Sequence, residues 1–497
     1  MPTAYDQVLY PGLPFSRSHP DQLAVMATLF GMNPAPPQRC RVLEIACADG
    51  GNLIPMACEF PESSFVGFDL AHAVVENGQR QIAELGLRNI CLDQMDLMDV
   101  GSKLGTFDYI IAHGLYSWVP EPVRDKLMAT VKALLAPQGV AYISFNALPG
   151  CRVRQAFREM LLFHLRNTQD PGERIAQARE FLQCFTQAQD RPGEKENLWR
   201  TEAESLLEKS PAVLFHDELG EVYDPVYVHD FAAHAGRFGL QFLCEASYTD
   251  MQLRKYPEEV KDRARRWAGE DRVLRELYSD FLRGRPFRRT LLCHDDIPVA
   301  GDLLAERIPR LYAASPANAE SRQRDLRPGA VERFLGPKGS AAETSHPLAK
   351  AALLTLIQAW PECLSFDDLL AKSANLAGQA PDAGTLGQIL HGTFAAGLVH
   401  LHVLPPRCVA RPGPFPQTTA LARWQAGRGI NITTVRHSTV QMEGETERRF
   451  LAVLDGTRDL PALIEELAQF GPHSRDEIAR QIQENLGKLA RLGLLVG

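Results

Sequence analysis

Through the first 150 residues, short apolar runs alternate with stretches of helical period. The runs RVLEIAC, SFVGFDL, NICLDQ, FDYIIAHG and GVAYISFN read as strands. Between them, 74–86 and 121–135 repeat their apolar positions with the period of a helix, and Pro137-Gln138-Gly139 marks the last helix-to-strand turn. Strands alternating with helices predict a parallel sheet covered by helices on both faces. The fold class is therefore α/β, Rossmann-like, over residues 1–150.

From 151 to 209 the pattern turns helical (RQAFREMLLFHLRN, RIAQAREFLQCFTQAQ, TEAESLLEKS) and predicts an insertion. Over 210–297, a helix closed by Gly239 leads into a strand. A second helical insert follows at about 257–283, and then the strand FRRTLLCHD. Both late strands are expected to return to the first sheet. The polar stretch 314–345, ASPANAESRQRDLRPGA onward, reads as a linker. Beyond it, 346–410 and 430–497 each run through helices into a Gly-Leu-Val or Gly-Leu-Leu turn and a strand. They read as two α+β winged-helix-like modules, a weak internal duplication. On this reading the two halves separate near residue 300, and the first half holds the site.

Composition narrows the class. Of 497 residues, 45% are apolar and 23% charged, ordinary values for a globular chain of several domains. A net charge of −8 argues against general nucleic-acid binding. No apolar run has the length of a membrane helix, so membrane insertion is not expected. The start lacks the basic and apolar regions of a secretory signal. Ten cysteines without a C-x-x-C pair suit reduced thiols, and the expected location is cytoplasmic, with no metal site. H-E-x-x-H, G-x-x-x-x-G-K-[ST] and G-x-S-x-G are all missing from the sequence.

The chemistry gathers at VLEIACADGGN. A strand reaches Glu44, and the chain turns through Ala46, Cys47, Ala48 and Gly50 before a helix that begins near Asn52. A pyrophosphate site needs glycine for close backbone approach, and the alanines disfavour it. The spacing E-x-A-x-A-x-G matches instead the E-x-G-x-G-x-G loop of class I S-adenosylmethionine methyltransferases. Asp69 ends the second strand, where a carboxylate can accept from ribose hydroxyls. Asp96 follows the third strand, where it can accept from the adenine amine. Leu70 and Leu97 stand beside them, and His113 ends the fourth strand, toward the methionine or sulfonium end. Cys47 reads as a packed thiol.

The strings YDQVLYPGLPFSRSHPDQLAVMATLFGMNP, CRVLEIACADGGNLIPMA, FVGFDL, FDYIIAHGLYSWVP and LLAPQGVAYISFNALPG carry a further likeness. The chain resembles class I methyltransferases that hold a methyltransferase regulatory domain, among them rickettsial protein lysine methyltransferases that modify outer-membrane proteins. The resemblance covers most of the chain. It implies S-adenosylmethionine as cofactor and a protein lysine as acceptor, with a small molecule or another residue as the alternative acceptor. A third alternative is a protein that binds cofactor without turnover. Ala46, where relatives have glycine, bears on affinity more than on cofactor identity.

Methyl transfer requires a deprotonated, well-placed acceptor. Tyr116 and Trp118 are the candidates for an aromatic slot around the acceptor, and Asn146 for orienting its amine. Tyr5, Tyr10 and His19 are candidates for an N-terminal lid. The expected recognition helices of the C-terminal modules carry few cations on one face, which favours protein docking over DNA. The expected partners are a protein substrate, a surface or outer-membrane protein among the options, and a second copy of the chain.

Overall fold

The computed structural model describes residues 12–189, 197–321, 324–469 and 474–497. After α1 (Pro20–Leu29), the first domain runs β1 (Arg41–Ile45), α2 (Leu53–Glu59), β2 (Ser64–Asp69), α3 (His72–Leu85) and β3 (Ile90–Gln94). It continues through β4 (Phe107–Ala112), α4 (Glu121–Leu134) and β5 (Leu135–Asn146). Four helices follow, α5 (Arg152–His164), α6 (Pro171–Ala188), α7 (Leu198–Glu208) and α8 (Pro211–Leu219), and close a small core of their own around Phe157, Leu182 and Leu206. Then come α9 (Val228–Arg237), β6 (Leu240–Glu245), α10 (Glu258–Ala268), α11 (Arg272–Arg283) and β7 (Phe287–His294).

The seven strands order as β3-β2-β1-β4-β5-β7-β6. β1 to β5 pair in parallel, and β7 runs antiparallel to both neighbours. The two late strands thus rejoin the first sheet, as their sequence suggests. Alternation sorts the faces. Val42 of β1 and Tyr142 of β5 face one apolar layer, while Leu43, Ile143 and Phe145 face the other, under α4 and α9.

The stretch 314–345 is not an open linker. It carries β8 (Tyr312–Ala314), β9 (Asn318–Ala319), β10 (Glu332–Leu335) and β11 (Ala341–Thr344). Its polar composition hides a period of two, in which Glu332 and Phe334 are buried and Arg333 and Leu335 exposed. The fully buried ammonium of Lys350 also draws the segment in, donating to the carbonyls of Asp325, Arg327 and Ala330 at 2.7, 2.8 and 2.9 Å.

The first C-terminal module comprises α12 (Pro347–Ala359), β12 (Leu364–Ser365), α13 (Phe366–Ala377), α14 (Ala383–Ala395) and β13 (His400–His402). β12 and β13 flank β8, so the central strand of this module's sheet runs directly into the expected linker. The second comprises β14 (Gln417–Thr418), α15 (Ala420–Ala426), the hairpin β15 (Asn431–Thr433) and β16 (Thr439–Gln441), α16 (Glu445–Ala452), α17 (Leu460–Ala468), α18 (Arg475–Arg491) and β17 (Leu495–Val496). The sequence reading missed α8, α15 and the hairpin. Among the described residues, no helix is long and apolar enough to cross a membrane.

Candidate functional site

Strand order reverses between β1 and β4, the switch point at whose carboxyl edge open α/β sheets bind ligands. Glu44 stands at that edge on β1, on the face of Val42, with 3% of its surface exposed. Burial pushes its carboxyl up to about 8, and Asp69 and Asp49 add to the effect against the hydrogen bond from Asn52. Its Oε2 is buried and has no hydrogen-bond partner among the described residues.

The loop after β1 keeps a glycine-type backbone without the glycines. Ala46 and Ala48 sit at φ 59° and 47°, and Gly50 at 75°. An L-residue in that region costs about 1–2 kcal/mol, which the surrounding contacts must offset. Ala48 N–H donates to Asp69 Oδ2 at 2.9 Å, and Ala71 N–H donates to Oδ1 at 3.0 Å. Asp69 thereby joins the loop to the end of β2. Cys47 is buried, and burial beside Glu44 and Asp69 pushes its thiol well up, so it is a packed, protonated residue. Asp49 accepts from Gly51 N–H at 3.1 Å and from the amides of Asn77 and Gln81, and burial raises its pKa. Three acids therefore crowd one loop, a setting that suits a ligand carrying positive charge and repels a diphosphate.

The remaining predicted residues divide. Leu70, just past β2, is 52% exposed and leaves an apolar edge beside Asp69. Asp96 follows β3, and its carboxylate caps the next turn through Met98 N–H at 2.9 Å. Leu97 turns its side chain into the layer under the sheet, while its neighbour Met98 stays exposed. His113 is half-buried, 2.9 Å from the Tyr142 hydroxyl and 3.8 Å, ring to ring, from Phe15. Burial, with Arg289 adding, pushes His113 down to about 4, so it is neutral near pH 7.

The structure does not gather Tyr116 and Trp118 into one open slot. Tyr116 is 3% exposed among Phe145 and Phe231 on the opposite layer, and its hydroxyl lies 2.7 Å from His234 Nδ1. A buried phenol needs such a partner, and His234 is held in turn by Asp125 at 2.8 Å. Trp118 rests on Tyr223 at 5.0 Å, and the guanidinium groups of Arg154 and Arg158 already lie over the pair. Asn146 is placed differently. It shares the Tyr142 face of β5, and its side-chain amide makes no hydrogen bond to a described residue. Its backbone N–H donates to Ser117 Oγ at 2.9 Å.

Asn52 emerges as a hub. Its Nδ2 donates to Glu44 Oε1 at 2.9 Å and to Ser18 Oγ at 3.0 Å. Its Oδ1 accepts from Phe15 N–H at 2.9 Å and lies 2.8 Å from Nε2 of His437. The N-terminal arm crosses the loop so closely that a side chain on Gly51 would run into the backbone of Gly12. His19 takes part, bonding Glu59 at 3.2 Å with its ring 4.9 Å from that of His437. Tyr5 and Tyr10 lie outside the described residues. No sequence signal pointed to His437, since it is 385 residues from Asn52 in a polar stretch.

Comparison with known proteins gives these features a context. The family described as "Methyltransferase domain" matches residues 42–139, and "Predicted methyltransferase regulatory domain" matches 210–294. "PKMT, C-terminal winged helix domain" matches 415–494. A Rickettsia prowazekii protein, "Uncharacterized protein RP789", is 31% identical over 475 residues, covering 93% of this chain and 85% of that one. A second protein of that organism, "Uncharacterized protein RP028", is 33% identical over 233 residues, covering 47% of this chain and 93% of its own. The solved structure of PKMT2 from Rickettsia typhi in complex with AdoHcy superposes with a TM-score of 0.87 at 26% identity, over 98% of this chain and 100% of that one.

Proposed function

Since the chain belongs to the class I S-adenosylmethionine-dependent methyltransferases with a regulatory domain and a PKMT-type winged-helix domain, we propose that it methylates lysine side chains of a protein. The observation that carries the cofactor assignment is the buried Oε2 of Glu44, without a hydrogen-bond partner among the described residues, set among further acids. That arrangement fits the cationic end of S-adenosylmethionine and does not fit a dinucleotide phosphate. The relative crystallised with AdoHcy supports the same reading.

When bound, S-adenosylmethionine supplies an electrophilic methyl on a sulfonium. The rest falls to this chain's own residues. Glu44 would hold the ammonium, Asp69 the ribose hydroxyls and Asp96 the adenine amine, while Leu70 and Met98 cover the base with their exposed apolar surface. Backbone groups of Ala46, Ala48, Gly50 and Leu97 shape the rim. Neutral His113, backed by Tyr142 and Phe15, lines the end of β4 without adding a competing cation. Asn146, whose side-chain amide makes no hydrogen bond among the described residues, is our candidate to orient the acceptor amine.

A protein substrate, a surface or outer-membrane protein among the options, belongs to this proposal, as do a second copy of the chain and a cytoplasmic setting. Ten free thiols, six of them buried, suit a reducing compartment. The test is mass spectrometry of a surface-protein extract incubated with labelled S-adenosylmethionine and the full chain. Methylated lysines should appear with the wild type and be lost with Asp69→Ala. Label found solely on other residues or on small molecules would overturn the lysine assignment.

A further inference from the structure

Among the described residues, the second C-terminal module hydrogen-bonds the cofactor loop through one side chain. His437 occupies the turn between β15 and β16, and 3% of it is exposed. The turn is held from its own side: Thr434 N–H donates to Ser438 O at 2.8 Å and Val435 N–H to Gly493 O at 3.0 Å. Arg436 packs 4.0 Å from the Trp360 ring centroid and donates to Pro361 O. His437 itself sits at φ 52°. Ala46, Ala48 and His437 are three of the four non-glycine residues with positive φ among the described ones. Strain of this kind concentrates at functional sites.

The hydrogen-bond pattern fixes the direction of coupling. The Nδ2 of Asn52 faces Glu44 and Ser18, so its Oδ1 must accept, and Nε2–H of His437 must donate. Burial lowers the pKa of His437 well below the usual imidazole value, which agrees with a neutral ring carrying its proton on Nε2. We infer that His437 is a positioning residue for the cofactor site, holding Asn52, and through Asn52 the carboxylate of Glu44, in the orientation that a cationic ligand requires. The inference rests on the cofactor reading above. It makes the winged-helix module part of the apparatus that binds cofactor, in addition to any docking role.

The test uses the full chain and calorimetric titration with S-adenosylhomocysteine, repeated across the pH range around Glu44's value of about 8. His437→Phe keeps the ring volume and removes the N–H, and it should weaken binding roughly tenfold, the size of one lost buried hydrogen bond. His437→Gln keeps an N–H donor and should restore most of that loss. The pH profile separates positioning from simple support. Asp49 and Asp69 already oppose ionisation of Glu44, and only the Asn52 amide favours it. Loosening Asn52 should therefore move the rise of affinity with pH to higher pH in His437→Phe. Trp424→Ala, which removes the module's contact with Glu84 and leaves the hydrogen bonds of Asn52 in place, should leave that midpoint where it is. Phe and Gln variants that behave alike, or an unmoved midpoint in both, overturn the inference while wild-type binding and its loss in Asp69→Ala leave the cofactor reading standing. A wild type that does not bind overturns both.

Discussion

The module at 347–402 buries Leu348, Leu353, Leu356 and Leu401 in the same apolar core as Val42 and Tyr142 of the sheet. The module at 415–496 instead closes its own core around Ile432, Phe450, Ile482 and Leu489. It meets the sheet domain through polar contacts. Glu84 of α3 accepts from Trp424 Nε1 at 2.8 Å and from Arg428 at 2.7 Å, and His437 bonds Asn52. Apolar burial of the first kind is large and leaves no alternative arrangement. The exposed contacts of Glu84 contribute about 0–1 kcal/mol each, and of the three the bond from His437 to Asn52 is the buried one. The first module is thus part of the scaffold. The second is a separate body whose contact with the chemistry runs through a single buried imidazole.

Truncation should expose the contrast most strongly. A chain ending near 300 loses a large part of the core that covers α1 and one face of the sheet, including Phe334, Leu353, Leu356 and Leu401, so it should not melt cooperatively by circular dichroism. The sequence reading expected the opposite. A chain ending at 410 should keep a cooperative transition and lose affinity for S-adenosylhomocysteine. Equal behaviour of the two truncations would erase the distinction.

A smaller effect sharpens it at the scaffold side. Asp21 of α1 accepts from His402 Nδ1 at 2.7 Å and from the N–H groups of Val403 and Leu404 at 2.9 and 3.0 Å, tying the first module to the arm. Asp21 lifts His402 to about 9 despite the opposing desolvation. The folded state therefore holds a proton that the unfolded chain releases near pH 6.5. The stabilisation is complete below that value and is lost as pH rises through about 9. Thermal melts should show the fall between those limits in the wild type, and a flatter profile in His402→Gln. A profile unchanged by the substitution would remove the tie from the account.

The smallest effect is in the loop. Ala46→Gly relieves a positive φ at the cost of unfolded-state entropy, two terms of about 1 kcal/mol that oppose each other. Stability should shift by less than about 1 kcal/mol, and affinity for S-adenosylhomocysteine should stay or improve. A large loss of binding would mean that the methyl of Ala46 makes a contact the ligand needs.

These contrasts also show what the sequence made legible. The sheet strands, the acid at position 44 and the acids after β2 and β3 follow from period and spacing, because each depends on residues close in the chain. The folded segment 314–345 was hidden because its polar composition outweighed the two-residue alternation of Glu332 and Phe334. Tyr116 looked available because it follows β4, but residue number does not say which side of the sheet a turn faces. Its commitment to His234 comes from an element more than a hundred residues later. His437 lay beyond reach for the same reason. Long-range polar contacts leave no local periodicity.

Hydrogen exchange on the full chain, read by mass spectrometry with and without S-adenosylhomocysteine, tests the wiring of the second module most directly. Its core is separate from that of the sheet, and its hydrogen bond to the cofactor loop runs from His437 to Asn52, so ligand binding should reach the hairpin by that route. Added protection is expected in the loop at 46–52 together with the hairpin at 431–441, with little change in α17 or α18. Protection confined to the loop, with the hairpin exchanging as before, would contradict it.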